Sequence, residues 1–296
     1  SSDLRLTITG GTIDIDSSDD AVHSNDGITI NGGELALASG DDAIHADSSL
    51  EINGGEISIT RCYEGLESAA ITMNAGVIHL VASDDGVNGV TDGESGDMMA
   101  GRPGQNNFGA SGSSVLSING GYLAIDAGGD GLDINGPITM TGGTVIINGP
   151  TNSGNGAIDY SGSFTISGGY LLAAGSSGMA MAPGSSSSQC SVMLGYSQSQ
   201  SAGTLVHIET ADGEGILTFK PAKQYQSVVF SSPGLEQGAE YVLYTGGSAS
   251  STERDGLYSG GTYTPGTEVT GFEISGTVTT VGSSNGQMPG NMPGNM

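Results

Sequence analysis

The residues best placed to do chemistry belong to one recurring acidic turn. It is written DDAVH at Asp19–His23, DDAIH at Asp41–His45, YEGLE at Tyr63–Glu67, DDGVN at Asp84–Asn88, GDGLD at Gly129–Asp133 and NGAID at Asn155–Asp159. If the copies stack, their oxygen and imidazole donors fall into rows. One row is Asp20, Asp42, Glu64, Asp85 and Asp130, and a second is His23, His45, Glu67, Asn88, Asp133 and Asp159. Asp19, Asp41 and Asp84 add a partial third. Carboxylates stacked about 4.8 Å apart repel one another by roughly 1–3 kcal/mol per pair, and a cation between them removes that cost. Ca²⁺, with metal–oxygen distances of about 2.3–2.6 Å, reaches oxygens from two neighbouring copies with little distortion. An oxygen-rich, thiolate-free set favours Ca²⁺ over zinc, and His23 and His45 alone make a poor zinc site. The small residue after each acid (Ala21, Ala43, Gly65, Gly86, Gly131, Ala157) is expected to leave backbone carbonyls open to the ion. The plainer alternative is a solvated acidic face in which Asp and Asn only form turns. Turn formation does not require a second acid three residues later, so recurrence in register favours calcium.

The elements that position these turns are read from the rest of each copy. Anchored on a glycine, seven copies fall at Gly11, Gly33, Gly55, Gly76, Gly121, Gly143 and Gly169, with spacings of 22, 22, 21, 45, 22 and 26. Positions five and three before the anchor are apolar each time, from Leu6/Ile8 to Phe164/Ile166, and so are the positions two and four after it, as in Leu35/Leu37 and Val145/Ile147. Period-two alternation marks two short strands per copy, each with one inward face. A third inward residue follows each acidic turn: Val22, Ile44, Leu66, Val87, Leu132, Ile158 and Met179. Three strands per repeat of about 22 residues predict a parallel β-helix of about seven coils, all-β and right-handed. The helix is expected over 1–185.

Two interruptions break the period: an insertion over 91–113, and a smaller one from Gly149 to Gly154. Insertions in solenoids map to loops that often carry binding. From residue 186 to 282 the period gives way to runs such as TLVHIET and EYVLYT, which predict a C-terminal β-strand cap over the open end of the helix. The tail over 283–296, rich in Met, Pro, Gly and Asn, has no core-forming pattern and is expected to be disordered. Cys62 and Cys190 should start roughly 19 Å apart along the axis, too far for a disulfide unless the C-terminal segment folds back. No apolar run approaches the ~20 residues of a membrane span, and no signal peptide is present, although the abrupt start suggests trimming.

Thirty-two acidic and six basic residues give a formal charge of −26. Such a chain repels nucleic acid and anionic membranes, and it calls for cations to offset its self-repulsion. No triad signature, phosphate loop or dinucleotide fingerprint is present, so no catalytic residue is assigned. Hydrolysis by paired carboxylates is disfavoured because the Asp-Asp pair recurs as a repeat. A calcium-dependent lyase would need a Lys or Arg base on the same face, for which Arg61 and Arg102 are the candidates. Arg61, Tyr63 and Arg102 lie where the repeat loses its regularity and are the expected ligand-binding residues.

Taken together, the repeated IxGGx(I/L)x(I/L) units, the DDAVH, DDAIH and DDGVN turns, the GRPGQNNFGASG insertion, the GLYSGGTYTPGTEVTGFEISGTVTTVG stretch and the MPGNM tail resemble a known family. This is the carbohydrate-binding-domain parallel β-helix family of Gram-positive, largely clostridial bacteria, distantly similar to pectate lyases, and the resemblance covers almost the whole chain. It implies a calcium-binding, exported protein, extracellular or on the cell surface, that attaches to plant cell-wall polysaccharides including pectin and cellulose. Carried over by motif, the calcium ligands would be the acidic-turn residues. Tyr63–Glu64 in place of Asp-Asp and Gly156 in place of an acid are departures from the pattern. A non-catalytic polysaccharide-binding role is therefore expected, with a pectate-lyase-type enzyme and a structural adhesin module as alternatives.

Overall fold

The computed structural model describes residues 4–90 and 114–282; the insertion over 91–113, with Arg102, and the tail over 283–296 lie outside these described residues. Every regular element among them is a β-strand. Three sheets run the length of a parallel β-helix. The first contains Leu6–Ile8, Gly27–Ile30, Ser49–Ile52, Ala70–Met73, Val115–Ile118, Ile138–Met140 and Phe164–Ile166. The second begins with Thr12–Asp16 and continues through Glu34–Ala38, Glu56–Cys62, Val77–Ala82, Tyr122–Ala127 and Thr144–Asn148 to Tyr170–Gly175. The third, which follows the acidic turns, is built of Val22–Ser24, Ile44–Ala46, Leu66–Ser68, Val87–Gly89, Leu132–Ile134 and Ile158–Tyr160. Each strand pairs in parallel with its counterpart one coil away, as Ile28 with Leu50 and Leu123 with Val145.

The period follows from one backbone requirement and one side-chain stack. The anchor glycine of every coil has φ between +82° and +114°, a region that costs an L side chain dearly and a glycine nothing. Two residues before it, Asn31, Asn53, Asn74 and Asn119 form a ladder whose amides donate in turn at 3.0, 2.7 and 2.8 Å, and Thr141 closes it at 3.0 Å. Identical side chains one coil apart are thus satisfied by each other. The inward rows merge into one core running from Ile8 to Ala182.

The two ends differ from the repeat. In the first coil Leu6 is exposed and Ile13 and Ile15 are only partly buried, because no coil lies beneath them among the described residues. In the seventh coil Ala180 and Ala182, not Met179, take the inward positions, and no third strand forms there. The Tyr160 hydroxyl donates to the Ala182 carbonyl at 2.8 Å, which sets that register.

The C-terminal segment does more than cover an end. Tyr225–Ser231 pairs antiparallel with Tyr170–Gly175, and Ser191–Gln200 and Val278–Gly282 extend the same sheet. The remaining strands form a separate antiparallel sheet in the order Ser248–Arg254, Leu257–Thr264, Gly215–Phe219, Val206–Thr210, Glu240–Thr245, Thr267–Glu273. A second core joins the two parts, with Ile146 and Leu172 of the helix buried together with Val192, Phe219 and Phe230. Strands covered on both faces lose their alternation, which is why the last two coils read TVII and YLLAA. The sheet also rests against the helix flank: Asp255 accepts from the Tyr122 hydroxyl at 2.6 Å and lies 3.1 Å from His79 Nε2, while Lys223 pairs with Asp126 at 2.7 Å. No helix among the described residues is long and apolar enough to cross a membrane.

Candidate functional site: the acidic ladder

Strand register brings the second row together as a continuous column. His23 pairs with His45, His45 with Glu67, Glu67 with Asn88, Asn88 with Asp133, and Asp133 with Asp159. The first row lies beside it, one turn earlier in each coil. There the carboxylates join coil to coil: Oδ1 of Asp20 accepts from the Asp42 backbone N–H at 3.1 Å, Oδ1 of Asp85 from Asp130 at 2.6 Å, and Oδ1 of Asp130 from Gly156 at 2.7 Å. Gly156, where the acid is replaced, therefore still donates its backbone N–H to the coil below.

The small residues of the turn have a structural role of their own. Carbonyls of Ala43, Gly65, Gly86 and Gly131 already accept backbone N–H groups of Val22, Ile44, Leu66 and Val87 at 3.1 Å, so one of the two lone pairs of each is engaged in joining the coils. What the glycines permit is close stacking. A Cβ on Gly65 would lie 2.3 Å from the Gly86 oxygen, and one on Gly86 2.6 Å from the Gly131 oxygen. Side-chain oxygens and imidazoles, with Asp42, Asp130 and Asp133 buried, are left as the candidate ligands.

These donors gather into groups whose ligand atoms lie within 4.8 Å of one another: Asp20, His23 and His45; Asp42, His45 and Glu67; Asp19, Asp20 and Asp41; and Asp130, Asp133 and Asp159. In the first, Oδ2 of Asp20 lies 2.6 Å from His23 Nδ1 and 3.3 Å from His45 Nδ1. His45 also faces Asp42 at 3.6 Å and Glu67 at 3.5 Å, and Asp47, which the sequence reading did not include, at 3.6 Å. Asn88 presents its amide nitrogen to Glu64 at 2.5 Å and Glu67 at 3.4 Å, so it serves as a donor between two glutamates. Asp84 accepts a hydrogen bond from the Tyr63 hydroxyl, which raises the Tyr63 pKa.

Burial of so many acids has an electrostatic cost. Asp42 is pushed up to about 8, first by burial and then by the charges of Glu64, Asp41 and Asp20. Burial likewise raises Asp85 to about 8, helped by Asp133 and Asp84, and Asp130 to about 8, helped by Asp85. Glu64, Glu67, Asp41 and Asp159 are raised as well, burial leading in each case. Among the described residues, Asp20, Asp42, Glu64, Asp85 and Asp130 form no ion pair with Lys or Arg. An oxygen-rich set whose ionised form has no Lys or Arg partner fits a hard divalent cation.

Arg61 is placed elsewhere. A bulge before it turns its guanidinium toward the first two coils, where it donates to Asp16 Oδ1 at 2.8 Å and the Ser39 carbonyl at 3.0 Å. Both cysteines are free, Cys62 buried in the core and Cys190 half-buried, and burial pushes the Cys62 thiol up to about 12.

A family model described as carbohydrate-binding domain-containing protein matches residues 1–43, a span that contains Asp19, Asp20, His23, Asp41 and Asp42. No curated protein and no solved structure matches the chain. Over residues 1–43, which hold the first acidic turn and the start of the second, the chain is similar to a carbohydrate-binding domain, which supports carbohydrate binding as its function.

Proposed function

We propose that the protein is a non-catalytic, extracellular polysaccharide-binding β-helix, stabilised by calcium, that recognises acidic plant cell-wall glycans such as pectin. The observation that carries this reading is the convergence of carboxylates from neighbouring coils with no Lys or Arg paired to Asp20, Asp42, Glu64, Asp85 or Asp130 among the described residues. Asp130, Asp133 and Asp159 would hold one ion, and Asp42, His45 and Glu67 a second. Calcium would neutralise the ladder and offer its remaining coordination positions to uronate carboxylates, which explains how a strongly acidic protein could hold an acidic polymer. The carbohydrate-binding match over residues 1–43 supports the ligand class.

The test is retention on immobilised polygalacturonate with calcium and with chelator, alongside the absorbance of an unsaturated uronide. Calcium-dependent retention without new absorbance is expected. Retention indifferent to chelator, together with an unchanged melting temperature, would refute the role of calcium. Absorbance growing with time would replace binding by lyase action.

A further inference from the structure

The antiparallel sheet and the flank of the β-helix border a cleft of about 630 Å³ that has no counterpart in the repeat. Its size is that of small-ligand sites, and its lining is more polar than apolar, which suits a hydroxyl-rich ligand. Thr144 and Tyr170 line it from the helix, and His207, Glu209, Tyr258 and Tyr263 from the sheet. His207 is buried, and both of its ring nitrogens are engaged, Nδ1 with Thr218 Oγ1 at 2.7 Å and Nε2 with Glu209 Oε2 at 3.3 Å. Tyr263 stacks on His207 with ring centroids 3.8 Å apart, and its hydroxyl donates to the Gly246 carbonyl at 2.9 Å. Glu209 is thus oriented by a residue that is itself fixed. Gly213, Gly215 and Gly260 also line it and add no side chain.

This lining selects a chemistry. Tyrosine faces pack against the C–H face of a pyranose ring, and an oriented carboxylate accepts from its hydroxyls. Glu209 is an acid and no Lys or Arg lines the cleft, so a uronate would be repelled here. We propose that the cleft binds a segment of a neutral pyranose chain, with Tyr258 as stacking platform and Glu209 as hydroxyl acceptor. Two glycan surfaces then lie on one chain: the ladder for acidic polymer and the cleft for neutral polymer. The inference rests on the polysaccharide-binding reading but not on calcium.

Isothermal titration of the full chain with cellohexaose and xylohexaose, in chelator, tests it. Saturable binding of at least one is expected, weakened about tenfold by Tyr258→Ala and restored by Tyr258→Phe, since the aromatic contact is worth about 1 kcal/mol. Glu209→Gln should weaken it several-fold while leaving the thermal midpoint in place. The cleft assignment is overturned if wild type binds calcium-loaded polygalacturonate but neither neutral oligosaccharide, or if Tyr258→Ala, folded by its thermal midpoint, binds as wild type does. Failure to hold any of these glycans would instead remove the polysaccharide reading itself.

Discussion

Asp85 and Asp130 stand 45 residues apart in the chain, yet Oδ1 of Asp85 accepts a hydrogen bond from the Asp130 backbone N–H at 2.6 Å. Asp20 and Asp42 repeat the relation at 3.1 Å. One oxygen of such a carboxylate ties two coils together. The other lies outside that bond, and in Asp20 it faces His23 and His45, so the ladder is both a structural seam and a place of concentrated charge.

The pH dependence of stability follows from that charge. Asp42, Asp85 and Asp130 are raised from 3.8 to about 8 in the fold, so between these values the folded state retains protons that the unfolded chain has released. Their contribution is fully present below about pH 4 and is lost as pH rises toward about 8. In chelator, the melting temperature should fall from pH 5 to pH 8 on the order of several degrees, and calcium should restore more of it at the higher pH than at the lower. A chelated melting temperature that rises over this range would contradict the assignment.

Asp130→Asn separates the two roles of the carboxylate. The amide oxygen can still accept from Gly156, while the buried charge is gone. Scanning calorimetry should show the variant more stable than wild type in chelator, by about 2–4 °C for each kcal/mol recovered, and less responsive to calcium.

Gly65→Ala tests why the turn residue is small. Its methyl would sit 2.3 Å from the Gly86 oxygen, a backbone atom that cannot turn aside. A loss of about 1–3 kcal/mol in denaturant unfolding is expected. Ala43, at the equivalent place one coil earlier, is fully buried, so the restriction belongs to this step of the helix and not to the turn in general.

Asp255 anchors the hairpin of the antiparallel sheet to the helix flank through Tyr122 and His79. It also has φ of 51°, which Asn tolerates better than Ala. Asp255→Ala should cost about 1–3 kcal/mol and expose 248–264 to limited proteolysis, whereas Asp255→Asn should largely preserve protection. Equal cleavage of both variants and wild type would show that the anchor is dispensable.

Much of this was legible in the chain. The anchor glycines announce the period because positive φ admits little else, and the apolar alternation announces strands because each has one face inward. His23, His45, Glu67, Asn88, Asp133 and Asp159 could be aligned before any coordinates, since parallel register repeats the sequence register. Met179 was misplaced because the seventh coil has no successor to pair with, and Ala180 takes its position. The cleft is not legible in the sequence, although HIET places His207 and Glu209 two residues apart on one strand face. Nothing in that motif shows that Tyr258, or Thr144 from a distant coil, would face them.

The sequence by itself therefore determined what repeats: the coil length, the inward rows, and which acids stack, all of which are local periodicities multiplied by parallel pairing. Only the tertiary structure decided what does not repeat. That the turn carbonyls accept N–H groups of the coil beneath, that Arg61 reaches back to Asp16, and that the C-terminal sheet folds against the flank to border a cleft each depend on contacts between residues far apart in the chain. Such contacts are set by close packing and by the need to satisfy buried polar groups, and a period of 22 residues does not encode them.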